Sequence, residues 1–320
     1  MEIIKREMRE IIKELDCEII AGGDKTEITG IALDSRLCQK GFAFIAVRGE
    51  KDEGSRYIKS AIENGAAAVI AEEFPSDVDL SSVCAVKVSD SRLAAALAAS
   101  AYYGFPSKYM RVVAATGTNG KTSFTYICDA AAAALGAVCG VIGTNGYRYP
   151  GAFFDAPNTT PDPITLQSLL YRMKQNGVTH VFAEFSSHAL KQKRGDGTHL
   201  SGASFSNLTR DHMDYFKTMD EQKEAKFRLF LELIPSSKPL DFEPFSVVCE
   251  DDEAGKELAR RAKKAGARLA TVSLKNPDAD FYVCDAKLKI DGTSAKAVLK
   301  ETKESFALKT NLIGAHNLEN

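Results

Sequence analysis

Residues 112–122, VVAATGTNGKT, constrain the fold more than any other part of the chain. An apolar β-type run enters a turn containing Gly117 and Gly120, and the turn opens into a helix-like segment at Lys121 and Thr122. Strand, glycine turn and helix in this order form the layout of a phosphate-binding loop. Amides of the turn and of the helix N-terminus point at anionic oxygens. Lys121 would reach terminal phosphates, and the Thr122 hydroxyl would hold Mg²⁺. The general pattern GxxxxGK[ST] asks for a glycine where this chain has Ala115, so a helix that merely starts after a glycine turn is the competing reading. Residues 140–146 read as a strand followed by a turn, with no second nucleotide site.

A chain of 320 residues exceeds one ordinary core and predicts two domains of roughly 100–200 residues each. A net charge of −2 offers no basic field for nucleic acid. No run approaches the ~20 apolar residues that span a bilayer. The opening segment is charged throughout, with Ile4, Met8, Ile11, Ile12 and Leu15 at helical spacing. It reads as an amphipathic helix and not as a signal peptide. The seven cysteines are an odd number without a CxxC pair, which predicts reduced thiols, a cytoplasmic protein and no zinc site.

Residues 28–47 read as strands around a turn, 55–64 as a helix, 66–71 and 83–88 as buried strands, and 90–103 as an Ala-rich helix capped by Asp90. Gly104-Phe105-Pro106-Ser107 breaks the pattern and places a domain boundary. Beyond it strands and helices alternate. Strands fall at 111–116, 138–142, 178–183, 203–207, 246–249 and 268–272, and helices at 121–135, 164–176, 220–233 and 251–265. Residues 147–163 read as a polar loop. Alternation of this kind predicts an α/β fold with a mostly parallel sheet, helices on both faces and ligands at the carboxyl ends of the strands. Segments 281–290, 293–299 and 306–312 read as a small antiparallel extension with a hairpin turn at Asp291-Gly292.

Further polar segments fall where strand ends converge. Asn158-Thr159-Thr160-Pro161-Asp162 is either a Pro-directed turn capping the next helix or a set of hydroxyls and an amide for a polar ligand. Glu184 directly follows an apolar strand, where a carboxylate beside a phosphate loop could hold Mg²⁺; an exposed strand-end Glu is the alternative. His212, between Asp211 and Asp214, could ligate metal or orient phosphate, and such a pair is also a common structural feature of loops. His188 is assigned no role. Lys226 and Lys223 lie on a charged helix, and composition alone does not separate them.

Together the segments GTNGKTS, NTTPD, EFSSHAL, SNLTRDHMDYF and EAKFRLF resemble, in order and spacing, the ATP-dependent Mur ligases. The resemblance is strongest to the members that add the third residue of the peptidoglycan stem. Asp34-Ser35-Arg36, residues 41–46 and Arg48-Gly49-Glu50 are similar to that family's uridine-binding domain. The resemblance implies a uridine-binding α/β domain at 1–106, a P-loop ATPase domain at 107–313 and the start of a linker at 314–320. It implies ATP on Gly117, Thr118, Asn119, Gly120, Lys121 and Thr122. Ser35 and Arg36 would lie near the UDP group, and Asn158, Thr159, Thr160, Ser186, Gln192 and Arg194 would contact the UDP-N-acetylmuramoyl-dipeptide. Mg²⁺ would be held by Thr122, Glu184, His212 and Lys226, the last as a CO₂-derived carbamate. Lys121, His212 and Lys226 would be the catalytic residues. The implied reaction is two-step: a D-glutamyl carboxylate attacks the γ-phosphate of ATP, and an amino acid's amine then displaces phosphate from the acyl phosphate. A monomer without nucleic-acid or membrane partners is expected.

The chain departs from the family pattern at Ala114 and Ala115 in the loop entry, at Asp52-Glu53-Gly54 and at Phe216-Lys217. The family's third domain, which follows a linker resembling 314–320, is expected to be missing, leaving this chain alone nearly inactive and the identity of the added amino acid open. Rival readings are another Mur ligase, a cyanophycin-type or folylpolyglutamate-type ligase, and a non-catalytic module that binds UDP-muramoyl-dipeptide or ATP. An unrelated P-loop kinase or GTPase would leave the first domain without a purpose.

Overall fold

Between residues 17 and 88 the apolar residues along each strand alternate sides, and that alternation builds two cores on one sheet. A computed structural model of the chain describes residues 4–49, 53–210, 215–238 and 243–320. It divides into two units: residues 1–106 with 161–172 and 192–198, and residues 107–160 with 173–191 and 199–320. The sheet of unit 1 runs in the order Cys17–Ala21, Cys84–Val88, Ala68–Ala71, Phe42–Ala46, Gly30–Ala32, and only its Cys17–Ala21 edge is antiparallel. Ala43, Ile45, Ala68 and Ile70 face the helices Met8–Ile12 and Ser91–Tyr102, while Phe44, Ala46, Val69 and Ala71 face helix Ile58–Glu63. The period of two in each strand sets this division. Asp90 caps its helix by accepting from the Leu93 amide at 2.9 Å.

Unit 2 holds an 11-stranded sheet. Its parallel centre runs Cys139–Gly143, His180–Glu184, Arg111–Thr116, Gly202–Phe205, Phe245–Cys249, Leu269–Ser273. These strands are near-continuous apolar runs because both faces are covered. The helix after Arg111–Thr116, Lys121–Ala134, packs over the strands on one side, and the helix after Phe245–Cys249, Glu253–Lys264, packs over those on the other. Winding therefore reverses between Arg111–Thr116 and Gly202–Phe205, and the crevice beyond the carboxyl ends of those two strands is where such sheets bind ligands.

The antiparallel extension forms as expected and continues the same sheet through Phe281–Lys289, Gly292–Leu299 and Ser305–Thr310. Lys289 pairs with Gly292, so the hairpin turn is Ile290-Asp291, one residue earlier than expected. Three further expectations are corrected. The opening helix covers only Met8–Ile12, because Arg6–Glu7 pairs as a strand with Glu27–Ile28. Cys17–Ala21 is an edge strand that was not anticipated. Residues 147–163 are not all loop: Gly146–Tyr149 and Ala152–Phe154 form a hairpin about Pro150-Gly151, adding two antiparallel strands to the sheet.

Candidate functional site

The phosphate-loop geometry rests on two glycines. Gly117 and Gly120 have φ of +142° and +89°, values that side-chain-bearing residues rarely adopt. A Cβ on Gly117 would stand 2.0 Å from Ser206 Oγ. Strand Arg111–Thr116 delivers the chain into this turn, and Gly120 precedes the first turn of helix Lys121–Ala134, whose leading amides lack intrahelical acceptors.

The loop is fastened to the segment that follows the neighbouring strand. The Thr118 amide donates to Asn207 O (2.9 Å), the Asn119 amide to Asn207 Oδ1 (3.0 Å), and the Thr209 amide to Thr118 Oγ1 (2.9 Å). Ser206 Oγ donates to Asn119 O. Ser206 and Asn207 thus clamp the loop from the other side of the crevice. Lys121 folds back over it, donating from Nζ to Gly117 O and Thr118 O, both at 2.9 Å.

Lys226 reaches the same point from a different element. It lies in helix Met219–Arg228, is 2% exposed, and donates from Nζ to Gly117 O at 2.8 Å. A wider π-type turn follows at Leu229–Leu233, the kind of irregularity that recurs at functional sites. Two ammonium groups on one carbonyl oxygen lie at most about 6 Å apart, where like charges repel unless an anion joins them. Two cations so placed attract an anion such as a phosphate.

Glu184 ends strand His180–Glu184 and is 1% exposed. Its Oε1 accepts from the Thr144 amide and its Oε2 from Thr144 Oγ1, both at 3.1 Å. Thr144 Oγ1 meets Thr159 Oγ1 at 3.0 Å. Thr160 Oγ1 donates to Glu184 O at 2.7 Å and accepts from the Ser186 amide at 3.0 Å. The structure therefore brings Thr159, Thr160, Glu184 and Ser186 into one network. Asn158 is exposed, and its carbonyl accepts from the Tyr147 hydroxyl.

In unit 1, Asp34 caps the short turn Ser35–Leu37. Hydrogen bonds from the Arg36 side chain and amide hold its carboxyl down at about 2. Arg36 is exposed, whereas Ser35 is buried with its carbonyl accepting from Asn64 Nδ2 at 2.9 Å. Arg194 forks onto Gln192 Oε1 at 3.0 and 2.7 Å. His212, with Asp211 and Asp214, lies outside the described residues, as do Glu50 and Asp52. His188 packs against Tyr215 and Phe216.

Several site residues escaped the sequence reading. Gly143-Thr144-Asn145-Gly146 repeats the tetrapeptide Gly117-Thr118-Asn119-Gly120 at the end of another parallel strand, and this repeat was the available signal. Gly143 matters because a Cβ there would stand 2.2 Å from Glu184 Oε1. The helix His316–Glu319 borders the loop: Asn207 Nδ2 donates to Glu319 Oε1 at 3.1 Å, and a Cβ on Gly120 would meet Asn320 Oδ1. Between this segment, Phe124, the loop and the antiparallel strands lies a largely apolar cavity of about 500 Å³, a volume suited to a small ligand. Thr116 lines it, and its Oγ1 is buried without a partner among the described residues.

Whether a divalent cation fits is decided by the donors. Glu184 and Thr122 offer hard oxygen atoms, and no cluster of three or more His, Cys, Asp or Glu suited to a metal occurs among the described residues. Hard oxygens of this kind suit Mg²⁺, which protein sites commonly hold through one or two such atoms together with substrate phosphates. Lys226 as an ammonium is no ligand. As a carbamate it would supply oxygen.

Comparison with known families agrees with this geometry. The model described as Mur ligase middle domain matches residues 115–320, and that described as Mur ligase family, catalytic domain matches residues 27–103. The chain belongs to the Mur ligase family. A UDP-N-acetylmuramoyl-L-alanyl-D-glutamate–2,6-diaminopimelate ligase of Parabacteroides distasonis is 38% identical over 313 residues, covering 98% of this chain and 61% of the relative. The enzyme of the same name from Geobacter metallireducens is 38% identical over 303 residues, covering 94% and 57%. A solved structure of a ligase with that name superposes with a TM-score of 0.81 at 28% identity, covering 98% of this chain and 61% of its own. The chain thus spans about three-fifths of the length of these Mur ligases. Among the described residues no helix is long and apolar enough to cross a membrane.

Proposed function

We propose that this chain carries the nucleotide- and substrate-binding parts of an ATP-dependent ligase that adds the third amino acid to UDP-N-acetylmuramoyl-L-alanyl-D-glutamate. The observation that carries the reading is the convergence of Lys121 and Lys226 on the Gly117 carbonyl at the mouth of a phosphate loop. The relatives' names favour 2,6-diaminopimelate as the incoming amino acid. A setting that supplies ATP and a UDP-linked precursor is cytoplasmic.

In this reading the loop amides and Lys121 bind the ATP phosphates and stabilise charge on the phosphoryl group as the D-glutamyl carboxylate attacks it. Lys121 then trades its carbonyl partners for phosphate oxygens. Ser206 and Asn207 keep the loop in register, and the cavity beside Phe124, Asn317 and Asn320 takes the nucleoside. Thr122 and Glu184 would hold Mg²⁺, with His212 and a carbamylated Lys226. When bound, Mg²⁺ neutralises charge on the phosphates and on the reacting carboxylate. Thr159, Thr160 and Ser186 orient the muramoyl-peptide, Gln192 and Arg194 bind its acidic groups, and Ser35 and Arg36 contact the UDP. Protein side chains form no covalent bond to substrate, so the reaction needs no nucleophilic Ser or Cys.

The test is formation of UDP-muramoyl-tripeptide, followed by mass spectrometry and phosphate release, with the protein that carries this chain. Product that depends on ATP, the dipeptide substrate and 2,6-diaminopimelate supports the assignment. Tight binding of ATP and UDP-muramoyl-dipeptide without product would instead support a binding module.

A further inference from the structure

Gln222 is fully buried, and neither its Nε2 nor its Oε1 has a hydrogen-bond partner among the described residues. A buried amide left unpaired costs about 1–3 kcal/mol per polar group, so such a side chain calls for a ligand. It sits in helix Met219–Arg228 one turn before Lys226, and both belong to its buried face. Residues four apart on a helix are neighbours, and long helical side chains run back over the preceding turn, which directs Lys226 across Gln222.

We propose that Gln222 is a positioning residue for a carbamate on Lys226, its amide N–H donating to a carbamate oxygen. The inference rests on the reading of Lys226 given above. The Lys226 ammonium first gives one proton to water; the freed Nζ lone pair then joins the carbon of CO₂, one C=O π pair moves onto oxygen, and a second proton leaves nitrogen for water. The side chain gains a carbon and two oxygens. The new group extends beyond Nζ as an acceptor for Gln222 and carries a negative charge. Gln222 is suited to this because an amide donates without adding charge. A glutamate would repel the carbamate, and a leucine would leave one of its oxygens unpaired.

The probe is ¹³C-bicarbonate with the 320-residue chain, read by the carbamate carbonyl signal in ¹³C NMR as bicarbonate is raised. Lys226→Gln assigns the signal by removing it. Gln222→Leu is expected to raise the half-saturating bicarbonate about tenfold to a hundredfold, the worth of a hydrogen bond to a charged group. Gln222→Glu is expected to abolish the signal. In bicarbonate-free buffer Gln222→Leu should melt at or above the wild type, because it removes orphaned polar atoms, and Gln222→Met provides the same reading if Leu does not fold. Unchanged half-saturation in Gln222→Leu, or an equal melting loss with and without bicarbonate, overturns the role of Gln222 while leaving the carbamate intact. No signal in the wild type overturns both.

Discussion

Gly143→Ala isolates the part of the site that depends on empty space. The backbone there is not in the left-handed region, so the substitution carries no conformational penalty of that kind. Its Cβ would lie 2.2 Å from Glu184 Oε1, 2.8 Å from Cδ and 3.0 Å from Cγ. Glu184 is 1% exposed and held by the Thr144 amide and hydroxyl, so it cannot swing into solvent. Losing one of those two bonds costs about 1.5–3 kcal/mol, since the acceptor is a carboxylate. Residual overpacking adds about 1 kcal/mol. A destabilisation of about 2.5–4 kcal/mol is expected, measured as a shift of the urea midpoint with the slope unchanged. Gly23→Ala is the matched control, because its Cβ meets nothing within 4 Å and its φ is ordinary. The control should be neutral or stabilising by up to ~1 kcal/mol. If Gly143→Ala unfolds within ~0.5 kcal/mol of Gly23→Ala, Glu184 is not held as described.

Thr160→Val keeps the shape of a side chain that is 1% exposed while orphaning the Glu184 carbonyl and the Ser186 amide, and should cost at least ~2 kcal/mol in the same assay. Burial pushes the thiols of Cys38 and Cys128 up to about 11 and that of Cys249 up to about 12. An unfolded chain ionises these groups near ~8.5, so their stabilising contribution is complete below that pH and is lost as pH rises towards the folded values. The urea midpoint should therefore fall between pH 8.5 and 11 more steeply in the wild type than in a variant with all three replaced by Ala, and equal slopes would refute this. Cys249 should also resist alkylation at pH 8, scored by peptide mass mapping.

The sequence carried the loop and the parallel sheet well because both are local signals: glycines at fixed offsets, and apolar runs long enough to be buried strands. Lys226 stood apart from Lys223 only through family resemblance, since both occupy a charged helix. Its burial and its reach to Gly117 come from tertiary packing, with the adjacent Phe227 set edge-on against Phe205 of the sheet. Thr144 and the 317–320 segment escape the sequence for a related reason, and Asn207, inside the segment SNLTRDHMDYF, is given no role by it. Their partners lie 40 to 112 residues away and are set by strand order, which periodicity does not encode. The hairpin about Pro150-Gly151 hid behind its polar composition. The edge strand Cys17–Ala21 hid because it is largely exposed and lacks an alternating pattern. The opening helix was overextended because Ile4 and Leu15 pack partly against the same core without being helical.

The central claim is that residues 117–122 cradle the phosphates of ATP, with Lys121 exchanging two backbone carbonyls for phosphate oxygens. Calorimetric titration of ATP with Mg²⁺ into the wild type and Lys121→Ala tests it most directly, alongside thermal melting of both without nucleotide. The account predicts saturable binding to the wild type and at least a tenfold weaker affinity in the variant, because a charge-assisted contact of ~1.5–3 kcal/mol is removed. Equal affinity in the two folded proteins, or no binding to the wild type, would contradict it.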